Sequence, residues 1–93
     1  MDFKHVDGED RGKVILYALS TCGWCRKTKN LLNELGVEYY YIDVDLLQGK
    51  NKENARKKVM EWNPQCSFPT LVINDENCII GFDEEKIRGA LEK

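Results

Sequence analysis

The chain has no run of apolar residues near the roughly 20 needed to cross a bilayer as a helix, so no helical membrane span is expected. It has no dominant charge either: a formal net charge of −2 gives no overall pull toward nucleic acid or anionic membranes. Its first residues, Met1 to Lys13, are charged and contain no apolar stretch of the kind a secretory signal requires, which leads us to expect an intracellular, cytoplasmic protein. Repeats, low-complexity tracts and internal linkers are missing, and 93 residues leave room for one core only. Histidine is reduced to His5, in a polar surround where solvent exposure is expected and no pairing with a cysteine can be argued.

What is present reads as alternating strands and helices. Residues 1–12 are polar, with Gly8 and Gly12, and are expected to form a flexible arm ahead of a single domain over 13–93. Val14 to Leu19 is a continuous apolar run of strand length, as in a strand buried on both faces. After Ser20-Thr21 the pattern becomes helical, with Leu31, Leu32 and Leu35 as a stripe and Gly36 as the stop. Val37 to Val44 is rich in aromatic and β-branched residues and reads as a second strand, with Tyr39 and Tyr41 on one face and Tyr40 on the other. Ala55, Val59, Met60 and Trp62 give an amphipathic helix over Asn54 to Trp62, ended by Asn63-Pro64. Leu71–Ile73 and Cys78–Ile80, separated by Asn74-Asp75-Glu76-Asn77, make a hairpin, and Asp83 is a good N-cap for a last helix carrying Ile87, Ala90 and Leu91. The order β-α-β-α-β-β-α predicts an α/β fold: a mixed four-stranded sheet flanked by helices.

Four cysteines in a chain expected to sit in a reducing compartment suggest catalysis or metal binding rather than a disulfide framework. Cys22-Gly23-Trp24-Cys25 lies where a buried strand ends and a helix begins. Backbone N–H groups and the helix dipole favour an anion there, and thiols at such places can have their pKa brought from about 8.5 to roughly 3.5–7.5. Arg26 and Lys27 add positive charge nearby. The first cysteine is placed to be the exposed nucleophile. Cys25, one turn on, is placed to resolve a mixed disulfide on Cys22. Gly23 keeps the turn tight, and Trp24 offers a flat apolar surface. A zinc site is the competing reading, with Cys66 and Cys78 completing four thiolates, but eleven residues separate those two where a second knuckle has two to four. The spacing therefore favours a redox pair.

With these segments in view, the sequence resembles a glutaredoxin, a redox protein of the thioredoxin superfamily. The strand, Cys-Gly-Trp-Cys and following helix stand in the glutaredoxin active-site place. Ser67-Phe68-Pro69-Thr70 resembles the family's Thr-Val-Pro segment, and Ile80-Gly81-Phe82-Asp83-Glu84 its Gly-Gly-x-Asp-Asp segment. The resemblance, which spans about residues 13–92, implies a thioredoxin-like fold and dithiol exchange on protein or low-molecular-weight disulfides. It also implies a cis peptide before Pro69, with Phe68 presenting its backbone to a bound thiol or peptide, and a substrate site that includes Gly23, Trp24, Phe68, Pro69, Gly81, Phe82 and Asp83. Two departures are informative. Leu19 stands where glutathione-binding members usually carry a lysine, which removes a charge-assisted contact of roughly 1.5–3 kcal/mol. Gly81-Phe82 looks like the pair in glutaredoxin-like proteins that serve ribonucleotide reductase and are recharged by a thioredoxin-type reductase. The implied partners are thus disulfide proteins such as ribonucleotide reductase, with glutathione or a thioredoxin-type reductase as the source of electrons, and a monomer suffices. No resident cofactor is required. A glutaredoxin that holds a [2Fe–2S] cluster between subunits is the alternative, with the zinc module behind it.

The remaining features have plainer readings. Cys66, three residues before Pro69, is a candidate third redox thiol near the rim of the site, while Cys78 reads as core packing. Trp62 reads as packing too. Lys50 to Lys58, broken by Glu53, reads as a solvated helix face that is also available to an acidic reductase or client.

Overall fold

The computed structural model describes residues 3–92, so the first two residues of the expected arm and the last residue of the expected domain lie outside the described residues. Among the described residues, five strands and three helices follow in order: β1 (Lys4–Val6), β2 (Val14–Ala18), α1 (Gly23–Leu35), β3 (Tyr39–Asp43), α2 (Gly49–Trp62), β4 (Thr70–Ile73), β5 (Asn77–Ile80) and α3 (Glu84–Leu91), with a short 3₁₀ turn at Val44–Leu46. The sheet order is β1-β3-β2-β4-β5; β2 and β3 run parallel and every other pairing is antiparallel. The α/β class, the mixed sheet and the β4–β5 hairpin agree with the sequence reading.

β2 lies at the centre because both of its faces are apolar. Val14, Leu16 and Ala18 join a cluster with Leu31 and Leu32 of α1 and Ile87 and Leu91 of α3. Tyr17 joins the other cluster, with Ala55 and Val59 of α2 and Val72 of β4. The sheet is thus sandwiched between α1 and α3 on one side and α2 on the other. α1 stops at Gly36, whose φ of 68° is the left-handed conformation that glycine adopts without penalty, and whose N–H bonds back to Asn33 O.

Two expectations are corrected. The sheet has five strands, not four, because residues 4–9 are not a loose arm. Lys4, His5 and Val6 pair antiparallel with Tyr41, Tyr40 and Tyr39, and Glu9 forms a further bridge with Val37. The packing supports the pairing. Phe3 meets Tyr17 edge-on at 5.9 Å, and His5 stacks on Tyr40 at 4.8 Å while its Nε2 lies 2.8 Å from Glu38 Oε2. The second correction concerns α2, which starts at Gly49, five residues before the apolar pattern does, and leaves Met60 47% exposed on its outer face. Ala55 and Val59 alone are its fully buried contacts.

Candidate active site

The end of β2 and the start of α1 set the position of the cysteine pair. Cys22 is the N-cap of α1: its backbone is extended (φ −90°, ψ 119°), and its Sγ accepts a hydrogen bond from the Cys25 N–H at 3.1 Å. That amide is one of the first-turn donors that a helix cannot satisfy internally, so the sulfur fills the role that a serine or aspartate oxygen usually takes. Cys22 is half-buried, whereas Cys25, one turn further, is fully buried in the core beneath it. Burial pushes the Cys25 thiol up to about 12. The Cys22 hydrogen bond adds to the rise, and a backbone hydrogen bond at Leu19 and the charge of Lys29 oppose it. Cys25 is therefore a neutral thiol at physiological pH. All four cysteines are free.

The surrounding residues converge from three segments. The Phe68–Pro69 peptide is cis, and the Gly81 N–H donates to Pro69 O at 2.8 Å, which ties the proline loop to the bend before α3. Cys22, Phe68 and Phe82 all pack against the same core cluster, and the Trp24 ring, 58% exposed, stacks near-parallel on Phe82 at 6.0 Å. Lys27 lies over the Trp24 ring, 4.5 Å from its centroid. Asp83 caps α3 by accepting the Lys86 N–H at 3.1 Å. Gly23 is exposed, with open space where a side chain would project. A groove of about 260 Å³ is lined by Leu19, Asp45, Cys66 and Phe68 together with Lys52 and Arg56 of α2.

Cys66 lines the same groove as Phe68 and has a left-handed backbone conformation (φ 51°). Cys78 is only half-buried, contrary to the core role read for it, although desolvation still raises its pKa. Among the described residues, the four cysteines do not gather into a metal-ligand set. The grouping of three donors is instead His5, Asp7 and Glu38, at the β1 edge.

Three positioning groups escaped the sequence reading. Asn63, buried at the end of α2, donates from Nδ2 to Ser67 Oγ (2.8 Å) and approaches Ser67 O and Thr70 Oγ1, which fastens the loop that carries Cys66, Phe68 and Pro69. Asp45 accepts from both the N–H and the hydroxyl of Ser20, which pins the strand-to-helix turn before Cys22; those bonds, the hydroxyl first, hold its carboxyl below the usual range. Lys29 pairs with Asp43 at 3.0 Å and sits over the Tyr41 ring, close enough to lower the Cys25 pKa. The only advance signal was residue type: a buried asparagine after a helix and an acid after a strand.

The family model described as Glutaredoxin matches residues 14–79. Among solved structures, the chain is similar to the glutaredoxin from Methanosarcina mazei Go1, at 54% identity and a TM-score of 0.91, covering 100% of this chain and 90% of the other. It is similar also to methanoredoxin of Methanosarcina acetivorans, at 52% identity and a TM-score of 0.92, covering 100% and 97%. Among curated sequences, an uncharacterized glutaredoxin-like 8.6 kDa protein in the rubredoxin operon of Clostridium pasteurianum is 30% identical over 80 residues, 86% of this chain and 99% of that protein.

Proposed function

The chain belongs to the glutaredoxin family, and on that premise we propose that it is a dithiol oxidoreductase that reduces disulfides through Cys22 and Cys25. The single observation that carries the proposal is the N-cap geometry: a half-buried Cys22 sulfur bonded to a helix N–H, with a fully buried thiol one turn below it.

The chemistry follows in two displacements. The Cys22 thiolate attacks one sulfur of a substrate disulfide, a Cys22–substrate bond forms, and the other substrate sulfur leaves as a thiolate that takes a proton from solvent. Cys25 then attacks Cys22 Sγ, giving the Cys22–Cys25 disulfide and releasing the second substrate sulfur, which accepts the proton that Cys25 gives up. One dithiol has become a disulfide and one substrate disulfide two thiols. The high pKa of Cys25 fits this order. Its thiol is held neutral before the first displacement, and two of the causes that raise it, the hydrogen bond to Cys22 and the Cys22 charge, vanish once Cys22 is capped by substrate.

In this reading the substrate backbone pairs at Phe68 and Pro69, the stacked Trp24 and Phe82 with Gly81 and Asp83 complete the substrate site, and the open space at Gly23 leaves room for the approach. Leu19 puts a partly buried isobutyl group where the family resemblance would place a cation for a glutathione carboxylate. That favours a thioredoxin-type disulfide reductase as electron source and a protein disulfide, such as that of ribonucleotide reductase, as client. The test is reduction of insulin and of hydroxyethyl disulfide, driven either by glutathione with its reductase or by a thioredoxin-type reductase, with Cys22→Ser and Cys25→Ser beside the wild type. Turnover that needs Cys22 and runs with the thioredoxin-type reductase is expected. Turnover with glutathione alone would reverse the choice of reductant. Activity indifferent to Cys22 would end the dithiol reading.

A further inference from the structure

The outer face of α2 carries a charge pattern that its own stability does not explain. The chain is net acidic at −2, yet Lys50, Lys52, Arg56, Lys57 and Lys58 all lie on this one helix, against Glu53 and Glu61. Lys57 and Lys58 have local partners, Glu53 at 3.5 Å and Glu61 at 3.8 Å. Lys50, Lys52 and Arg56 have no ion pair among the described residues. Asp45, whose charge Lys52 feels, has both oxygens engaged by Ser20. Lys52 and Arg56 are i,i+4 neighbours of like charge, an arrangement that disfavours the helix. Lys50 and Lys52 also stand in a first turn that contains no acid, where the helix dipole disfavours them.

The same two residues connect the active site to a wider surface. Lys52 and Arg56 line the groove that holds Cys66 and Phe68, and they also line a depression of about 310 Å³ together with Lys57, Met60 and Glu53, the last paired with Lys57. Met60 is 47% exposed and Leu46, just before the helix, 63% exposed. From Lys52 to Met60 the strip runs about 12 Å along the helix. That is longer than the contact a small thiol makes; exposed Arg56 and Met60 are of types enriched at protein interfaces, and the cations beside them supply charge complementary to an acidic partner.

We infer that this face, Leu46 and Lys52–Met60, is the docking surface for an acidic segment of a disulfide-bearing protein partner, which it holds so that the partner's disulfide reaches Cys22. The inference rests on the dithiol reading for its purpose, but the surface can be tested apart from it.

The probe is a short peptide with an intramolecular disulfide flanked by glutamates, compared with the same peptide carrying glutamines. Wild type is expected to reduce the acidic peptide with a kcat/KM about tenfold higher at low salt. The advantage should disappear near 1 M salt, where the screening length falls to about 3 Å, and in the double variant Lys52→Ala, Arg56→Ala. Equal rates for the two peptides would overturn the inference while leaving the dithiol chemistry standing. The same advantage for a small dicarboxylate disulfide would also overturn it, in favour of a subsite for small anions. Should neither peptide be reduced in a Cys22-dependent manner, amide chemical-shift mapping of the wild type with a reduced, alkylated acidic peptide decides separately. Shifts confined to residues 46–60 support the docking surface, and their absence refutes it.

Discussion

Removing the side chain of Asn63 should loosen the loop that presents Phe68 and Pro69. The amide is 2% exposed, with Nδ2 at 2.8 Å from Ser67 Oγ, 3.2 Å from Ser67 O and 3.3 Å from Thr70 Oγ1, and with Oδ1 accepting from Gln65 N at 3.2 Å. Two amide protons cannot serve three acceptors fully, so the loss in Asn63→Ala is nearer two donated bonds than three. Ser67 O keeps the Thr70 hydroxyl at 2.8 Å, and exposed Gln65 can turn its N–H to water. Counting about 1 kcal/mol for each bond lost inside, with a small cavity in addition, the variant should be destabilised by about 2–3 kcal/mol. In a domain of this size that corresponds to a fall in Tm of about 10–20 °C. Asn63→Asp should be worse at neutral pH, since it deletes both donors and buries a charge, and should recover part of the deficit in acid, where the carboxyl is neutral. Urea unfolding followed by tryptophan emission measures both, with the slope m checked for constancy. A loss below about 0.5 kcal/mol for Asn63→Ala would refute the view that this amide holds the loop.

Other outcomes follow from single groups. Because the Cys25 pKa is raised in the folded state to about 12, its neutral thiol contributes stability that is complete below the ordinary thiol range and is lost as pH climbs from about 9 to about 12. Reduced wild type should therefore weaken across that window, and Cys25→Ala should flatten the slope; an unchanged slope would contradict the burial argument. Buried Tyr17 and Tyr39, also raised by desolvation, steepen the upper end of both curves alike. Asp45 titrates in the opposite sense. Its pKa is lowered by Ser20, so its contribution is present above the carboxylate range and fades as pH falls, and Ser20→Ala should narrow the gap between stability at neutral and at acid pH in urea titrations. Gly81, at φ 79° with open space around it, should accept alanine sterically but at a cost of about 1–2 kcal/mol from its left-handed backbone, measurable as a lower urea midpoint.

What could be read from the sequence and what could not divide along the range of the interactions involved. β2 announced itself because both faces are apolar within one continuous run, and α1 because Leu31, Leu32 and Gly36 are a local pattern. The cysteine pair was visible for the same reason: its chemistry depends on four adjacent residues and the helix that starts among them. β1 gave no such signal. It is three residues long, with Lys4 and His5 exposed, and it exists because Tyr39–Tyr41, more than thirty positions away, offer a partner. The first turns of α2 are polar on every side, so no periodicity marked them. Asp45 acts on Ser20 across 25 positions, and the Lys29–Asp43 pair spans two elements. Such groups are ordinary surface residues until the fold brings their partners in.

The placement of β1 bears on how this protein behaves at high concentration. Without it, the sheet would end at β3, an edge that displays Tyr39, Tyr40 and Tyr41 in a row with their backbone groups unpaired. A free edge so rich in aromatic residues is a template on which a second molecule can add a strand. β1 covers it with the chain's own backbone and puts exposed Lys4 and His5 on the outside, where their charge and polarity discourage further addition. A chain trimmed to begin at Lys13 would thus exchange a short, polar edge strand for an aromatic one, and light scattering at high concentration is expected to show it associating more than the intact chain.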